Sequence, residues 1–226
     1  MASAIVVYGG SGHGRVVLEA LRAGGAYEPV AVLDPALEGE IDGVPIKRDD
    51  DAPALRAGGV AAAAIGVGAV GDTALRRRLH ALAREVGFDL PAVVHPRASV
   101  AATATLAPGC FVASGALVGP GARVGEGAIV NSNAVVDHDC LVGAFAHIAP
   151  GAALSGAVEV GPDALVGTGA AVVQGVRIGA GAVVGAAAVV TRDVPEGARV
   201  MGNPARLSES SGGAKRPAPV HHLAGA

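Results

Sequence analysis

The 226-residue chain predicts two units, an α/β segment of half-Rossmann type and, after it, a parallel β-helix of hexapeptide repeats in about five coils. Three observations carry that prediction. Aliphatic residues recur every six positions through the second half. Small and turn-forming residues hold fixed places between them, and the first 95 residues alternate apolar strands with amphipathic helices around a Gly-rich loop.

The period is unbroken from Val100 through Leu106, Val112, Val118, Val124, Val130, Val136, Val142, Ile148, Leu154, Val160, Val166, Val172 and Ile178 to Val184 and Val190. Chance gives such a run a probability on the order of 10⁻⁹. Two places before each aliphatic stands Ala, or occasionally Cys or Val, which marks an inward site with room only for a small side chain. Cys110 and Cys140 fall there and read as buried small hydrophobes rather than a disulfide pair. Three places after the aliphatic come eight Gly, with Asn133, Asp139, Asp163 and Asp193 among the rest, the residue types that tolerate positive φ. A flat strand and a tight corner, repeated, make one side of a coil. Three sides make a turn of 18 residues, and sixteen hexads stack to a prism roughly 25 Å tall.

The N-terminal segment reads strand Ile5–Tyr8, Gly-rich loop Gly9–Gly14, helix Arg15–Ala23, strand Val30–Leu33 ending at Asp34, strand Ala62–Val67, helix Thr73–Val86 and strand Leu90–Val94. This is half of a Rossmann-like pattern. The dinucleotide fingerprint fails, because counting from Gly10 its third position is Arg15. A strand, a Gly-rich loop and a helix N-terminus still form a natural anion site, which suits a sugar nucleotide better than NAD; the same turn also serves without any ligand. The expected division is residues 1–95 for nucleotide-sugar binding, 96–207 for the prism and 208–226 for a disordered low-complexity tail holding His221 and His222.

Composition excludes several classes. Hydrophobic residues make up 51 % of the chain and the mean hydropathy is +0.48, values that suit a membrane protein. Yet 49 Ala and 34 Val account for most of that content and 35 Gly interrupt it, so no strongly apolar stretch is long enough to span a bilayer. The start, MASAIVVYGG, has no basic region before an apolar core, so no secretory signal is expected and a cytoplasmic location is. A net charge of −3 gives no footprint for nucleic acid.

Against this bland background Asn131, Asp137, His138, Asp139 and His147 stand out. His138 lies at a corner, where side chains project outward, between two acids. An imidazole oriented by a carboxylate is the usual general base near neutral pH. Asp139 fits the role of that carboxylate, and equally that of a corner residue. Cys140 points inward and reads as an inert thiol rather than a nucleophile. The prism holds only two histidines, one short of an open three-ligand zinc site, so no metal is expected.

The chain resembles the bacterial sugar acetyltransferases of the sialic acid O-acetyltransferase type, which include nucleotide-amino-sugar N-acetyltransferases of glycan biosynthesis. The resemblance runs from residue 4 to about 207 and rests on GGSGHGRVV, VVDHDCLVGAFAHIAPGA and MGNPAR. It implies left-handed coiling, a homotrimer with active sites between neighbouring prisms, and acetyl-CoA as co-substrate. It also implies His138 as general base with Asp139 as its supporting acid, and His147 and Asn131 near the thioester. Gly156, Thr168 and Ala186 would line the coenzyme groove, and Gly12, His13, Asp34 and Gly66 the nucleotide-sugar pocket. Val67–Gly68 departs from the Asn or Asp that often follows this glycine in relatives. The expected reaction is N-acetylation of a nucleotide-linked amino sugar by direct acyl transfer. The alternatives are O-acetylation of a sugar such as sialic acid and a non-catalytic trimeric scaffold that binds a nucleotide sugar.

Overall fold

Each hexad forms one two-residue strand whose second residue is the periodic aliphatic, from Ser99–Val100 to Val189–Val190. In the computed structural model, which describes residues 2–68 and 72–208, hydrogen bonds join every third strand, so three parallel sheets close a triangular prism. The first face carries Leu117, Val135 and Ala153 outward, the second Arg123, Leu141 and Glu159, and the third Phe111, Ile129 and His147. Inside, the aliphatics and the small Ala and Cys residues form one continuous core from Cys110 to Val200. The expected tail lies outside the described residues from 209 onward.

The corners follow the expected rule with informative exceptions. Asn133, Asp139 and Asp163 have φ of 55°, 59° and 60°, in the left-handed region with the corner glycines. Phe145, Ala157 and Ala187 adopt it too, at a cost of about 1–2 kcal/mol for each residue with a Cβ. Asp193 does not, contrary to expectation. Its carboxylate instead accepts a hydrogen bond from the Arg177 backbone N–H at 2.9 Å, because the last coil loses its register beyond Val190.

The N-terminal unit has β1 (Ser3–Tyr8), α1 (Gly12–Gly24), β2 (Tyr27–Leu33), β3 (Glu40–Ile41), β4 (Val44–Lys47), α2 (Ala52–Ala57), β5 (Ala62–Ile65) and α3 (Ala74–Val86). The sheet runs β3-β4-β2-β1-β5, parallel except for the β3–β4 hairpin. That hairpin and α2 are absent from the sequence expectation, although Asp42–Gly43, both at positive φ, is a strong two-residue hairpin signal. Strand β6 (Val93–Val94), expected to close the Rossmann pattern, pairs instead with Phe111–Val112 and starts the third face of the prism.

The glycines of the first loop let backbones touch. A Cβ on Gly14 would lie 2.2 Å from the Gly9 carbonyl oxygen, and one on Gly66 would lie 2.4 Å from it. The loops after β1 and β5 are thereby packed into a single floor. The unit docks on the prism through Val93, Phe111 and Ile129, which share a core with Ile5, Val7, Val17 and Leu18. Fully burying each such side chain contributes about 1.5–3 kcal/mol.

Candidate active site

The corner after Val136 turns the chain from the first face to the second and throws His138 outward. Its backbone N–H donates to the Asp137 carboxylate at 2.6 Å, and its Nδ1 lies 3.0 Å from Asp139 Oδ2. A carboxylate only accepts, so the imidazole proton sits on Nδ1 and the lone pair on Nε2. The bond to Asp139, joined by the charges of Asp137 and Asp139, raises the His138 pKa above its ordinary value. One coil further on, the Ala157 N–H bonds to the His138 carbonyl, which stacks Gly156 directly on the imidazole. A Cβ there would come within 2.3 Å of Nε2. Gly156 therefore lies against the candidate base, a more specific place than the coenzyme groove expected for it.

Cys140 is fully buried, its thiol donates to the Ser155 carbonyl at 3.2 Å, and burial raises its pKa. It is not poised as a nucleophile.

A second group assembles on the third face. Asn131 Oδ1 accepts from the Ser132 N–H at 2.8 Å, which turns its amide nitrogen toward His147 Nε2, 3.0 Å away. That bond places the His147 proton on Nδ1. His13, at the start of α1, lies within electrostatic reach of His147 and Arg76, and its ring meets the edge of Phe111 at 5.3 Å. Burial, reinforced by those two neighbours, lowers its pKa to about 4, so His13 is neutral at pH 7.

Gly66 belongs to the packed loops, whereas Gly12, the first residue of α1, is exposed with open space beyond it. Both oxygens of Asp34 serve the backbone, accepting from Gly10 N–H at 2.8 Å and Ala36 N–H at 2.9 Å. Thr168 and Ala186 are exposed and stack on each other at the corner between the third and first faces, where the Ala187 N–H bonds to the Thr168 carbonyl. The structure thus brings together His138, Asp139 and Gly156 at one corner and Asn131, His147 and His13 at the third face. Within one chain it does not bring Thr168 and Ala186 to His138.

Helix α3 supplies residues that sequence reasoning missed. It grips a third corner, where Asp163 takes a two-point ion pair from Arg77 at 2.8 and 2.5 Å and a bond from Thr73 Oγ1 at 2.5 Å. Glu126 meets Arg84 at 2.9 Å and His80 at 3.3 Å. Arg76 donates to the Phe145 carbonyl, and Arg77 lies 4.2 Å over the Phe145 ring. These contacts help hold Phe145 in its strained conformation. The available signal was three consecutive arginines on a helix facing a corner column that contains Glu126 and Asp163.

Comparison with known proteins gives this geometry a family. Residues 4–82 match the PglD N-terminal domain. The acetyltransferase domain of PglB from Neisseria gonorrhoeae, solved with acetyl coenzyme A, is 37% identical over 92% of this chain and 100% of its own, with a TM-score of 0.86. The chain belongs to the hexapeptide-repeat sugar N-acetyltransferases. A histidine-to-asparagine variant of perosamine N-acetyltransferase from Caulobacter crescentus, in complex with CoA and GDP-perosamine, is 38% identical over 92% of this chain and 98% of its own, with a TM-score of 0.86. WeeI from Acinetobacter baumannii is 28% identical over 92% of this chain and 100% of its own, at 0.78. A search of curated proteins returned no match. The left-handed prism with its α/β head is the architecture of this acetyltransferase family. No helix among the described residues is long and apolar enough to cross a membrane.

Proposed function

We propose that this sugar N-acetyltransferase moves the acetyl group of acetyl-CoA onto the amino group of a nucleotide-linked sugar, by direct attack with His138 as general base. The observation that carries this reading is the imidazole itself. Nδ1 is committed to Asp139, while Nε2 keeps its lone pair at an exposed corner with Gly156 stacked against it. As the neutral amine attacks the thioester carbonyl, Nε2 takes the proton and Asp139 stabilises the imidazolium that forms. His147, with its proton on Nδ1, and nearby backbone N–H groups are the candidate donors to the oxyanion. Loss of the thiolate completes an amide and free CoA.

The solved relatives support the substrate class, since the gonococcal domain holds acetyl coenzyme A and the Caulobacter enzyme holds CoA with GDP-perosamine. Asn131, Gly156, Thr168 and Ala186 are assigned to the acetyl-CoA groove, and Gly12, His13, Asp34 and Gly66 to the acceptor pocket. A homotrimer accounts for the separation of the two groups of residues, because a neighbouring prism can bring its third-face corner to His138. The faces flanking His138 carry exposed Leu117, Leu141 and Val173, and a groove of about 690 Å³ runs along the second face past Arg123, Leu141, Glu159 and Arg177. Substrates of this kind belong to the cytoplasm, which is the location proposed.

The reading is tested by offering UDP-, GDP- and dTDP-linked amino sugars with acetyl-CoA and characterising the product. An acetylated nucleotide sugar that resists mild base is an amide and supports the reading. Turnover of free sialic acid alone, giving a base-labile ester, overturns it.

A further inference from the structure

The coil that carries His138 has a side chain at each of its three left-handed corners, Asn133, Asp139 and Phe145, and the coil before it has glycine at all three, Gly115, Gly121 and Gly127. The match is steric. A Cβ on Gly115 would strike Asn133 Oδ1, one on Gly121 would lie 2.5 Å from Asp139 Oδ1, and one on Gly127 would lie 2.6 Å from the Phe145 ring. At Gly151, Gly169, Gly175 and Gly181, which share the left-handed backbone, a Cβ would meet nothing within 4 Å. Those four glycines answer the turn alone. The three before the His138 coil also leave room for the side chains that lean back on them.

One of these seats bears on the chemistry. Asp139 lays Oδ1 over Gly121 and offers Oδ2 to His138 Nδ1 at 3.0 Å, so each oxygen of the carboxylate has a fixed place. The Asp139 side chain is 69 % exposed, and an exposed carboxylate is otherwise free to turn and to trade its partner for water. Backing onto the Gly121 Cα removes part of that freedom. Gly121 is held in turn by the first coil, its N–H donating to Thr103 Oγ1 at 3.1 Å, whereas Asp139, Ala157 and Gly175 in the same column donate to the backbone carbonyls of Pro120, His138 and Gly156. A hydroxyl therefore begins a stack of Thr103, Gly121 and Asp139 that ends on the imidazole.

We propose that Gly121, anchored by Thr103, is a positioning residue that seats the Asp139 carboxylate on His138, an assignment that rests on the reading of His138 as general base under Proposed function. Alanine at 121 forces Oδ1 back by about 1 Å to reach ordinary contact, and because both oxygens belong to one rigid group, Oδ2 is carried off Nδ1. The side chain gives rather than the prism, since the atom struck is the free end of an exposed aspartate. The charged groups acting on His138 are Asp137 and Asp139 of its own corner, and the bond to Asp139 is the leading cause of its raised pKa. The coils before and after bring glycine against this corner, at Gly121 and Gly156. Loosening the bond therefore lets His138 titrate at lower pH.

The test uses the full-length enzyme and compares Gly121→Ala with Gly181→Ala, which carries the same backbone strain at a φ of 62° without a contact for the new methyl. His138 is titrated by NMR with labelled histidine, its signal assigned by its loss in His138→Ala, and kcat and KM are measured beside it. The expected result is a His138 titration at lower pH in Gly121→Ala than in wild type or Gly181→Ala. The same variant should lose about 10-fold in kcat, with KM for the acceptor within about threefold. In an Asp139→Asn background, Gly121→Ala should move the titration no further, because the seat acts through the carboxylate. An unmoved titration overturns the proposal, as does a shift shared equally by Gly181→Ala or one that adds in full to that of Asp139→Asn. If Gly121→Ala melts more than about 10 °C below Gly181→Ala, Thr103→Val carries the same comparison, with a shift in the same direction expected and an unmoved titration overturning the seat. Because the titration needs no turnover, it is separable from the underlying reading; near-normal turnover by His138→Ala overturns that reading and the positioning role with it.

Discussion

Replacing Gly156 by alanine isolates the geometry of the base. The new methyl would lie 2.3 Å from His138 Nε2, 2.4 Å from Cε1 and 3.0 Å from Cδ2, while ordinary contact begins at 3.4 Å. The imidazole must therefore retreat by about 1 Å. It is tethered at Nδ1 to Asp139 by a 3.0 Å bond, so the retreat either breaks that bond or tilts Nε2 away from the acceptor amine. Gly156 is not in the left-handed region and its nearest contacts are all atoms of His138, so the fold has no reason to respond. A displacement of that size costs about 100-fold in rate. Thiol release from acetyl-CoA should show kcat reduced by about that factor, with KM for the acceptor within about threefold and an unchanged melting temperature. A Gly156→Ala enzyme with kcat within about threefold of wild type would refute the placement of Nε2 as the proton acceptor.

Two further substitutions probe the charges. The Asp139 bond is the leading cause of the raised His138 pKa, and the base works only when neutral, so the acidic limb of kcat/KM against pH lies above the ordinary imidazole value of 6.5. Asp139→Asn should move that limb to lower pH and lower the plateau by about 10- to 100-fold; a limb that stays in place contradicts the pairing. Asp163→Ala removes the grip of α3 on its corner and should destabilise the chain by about 1 kcal/mol, since the ion pair is partly exposed. Arg77 and Thr73 hold the Asp163 pKa below its ordinary 3.8. That stabilisation is complete above the unfolded value and disappears as pH falls through the lower folded one. Wild type and variant should therefore differ in denaturant midpoint at pH 7 and converge as acidification passes below the ordinary value of 3.8 and through the lowered folded one, and a difference that grows on acidification would contradict the assignment.

The prism was legible residue by residue because its geometry repeats. An aliphatic every sixth place and an Ala two before it are forced by a narrow triangular interior, and each hexad became one strand. Phe145 escaped the corner rule because its strain is held by Arg76 and Arg77 from a distant helix, a compensation that no local pattern shows. His138 and Asp139 were legible as neighbours in sequence and are neighbours in space. Gly156 was located only by the stacking of coils, 18 residues on, which puts it against the imidazole rather than merely in a groove. The burial of Arg76 was invisible in sequence, since an arginine on an amphipathic helix ordinarily reads as a solvated face. In the other direction, nothing in the sequence showed that the Asp34 carboxylate is held in place by the Gly10 and Ala36 backbone N–H groups, one on each oxygen.

The most direct test is thiol release from acetyl-CoA with the preferred nucleotide amino sugar, wild type beside His138→Ala at equal concentration. Loss of the base should cut kcat by about 10²- to 10⁴-fold while sedimentation and melting temperature stay those of the wild type, because His138 is half-exposed and packs on nothing the fold requires. Near-normal turnover by His138→Ala would contradict direct transfer through this imidazole.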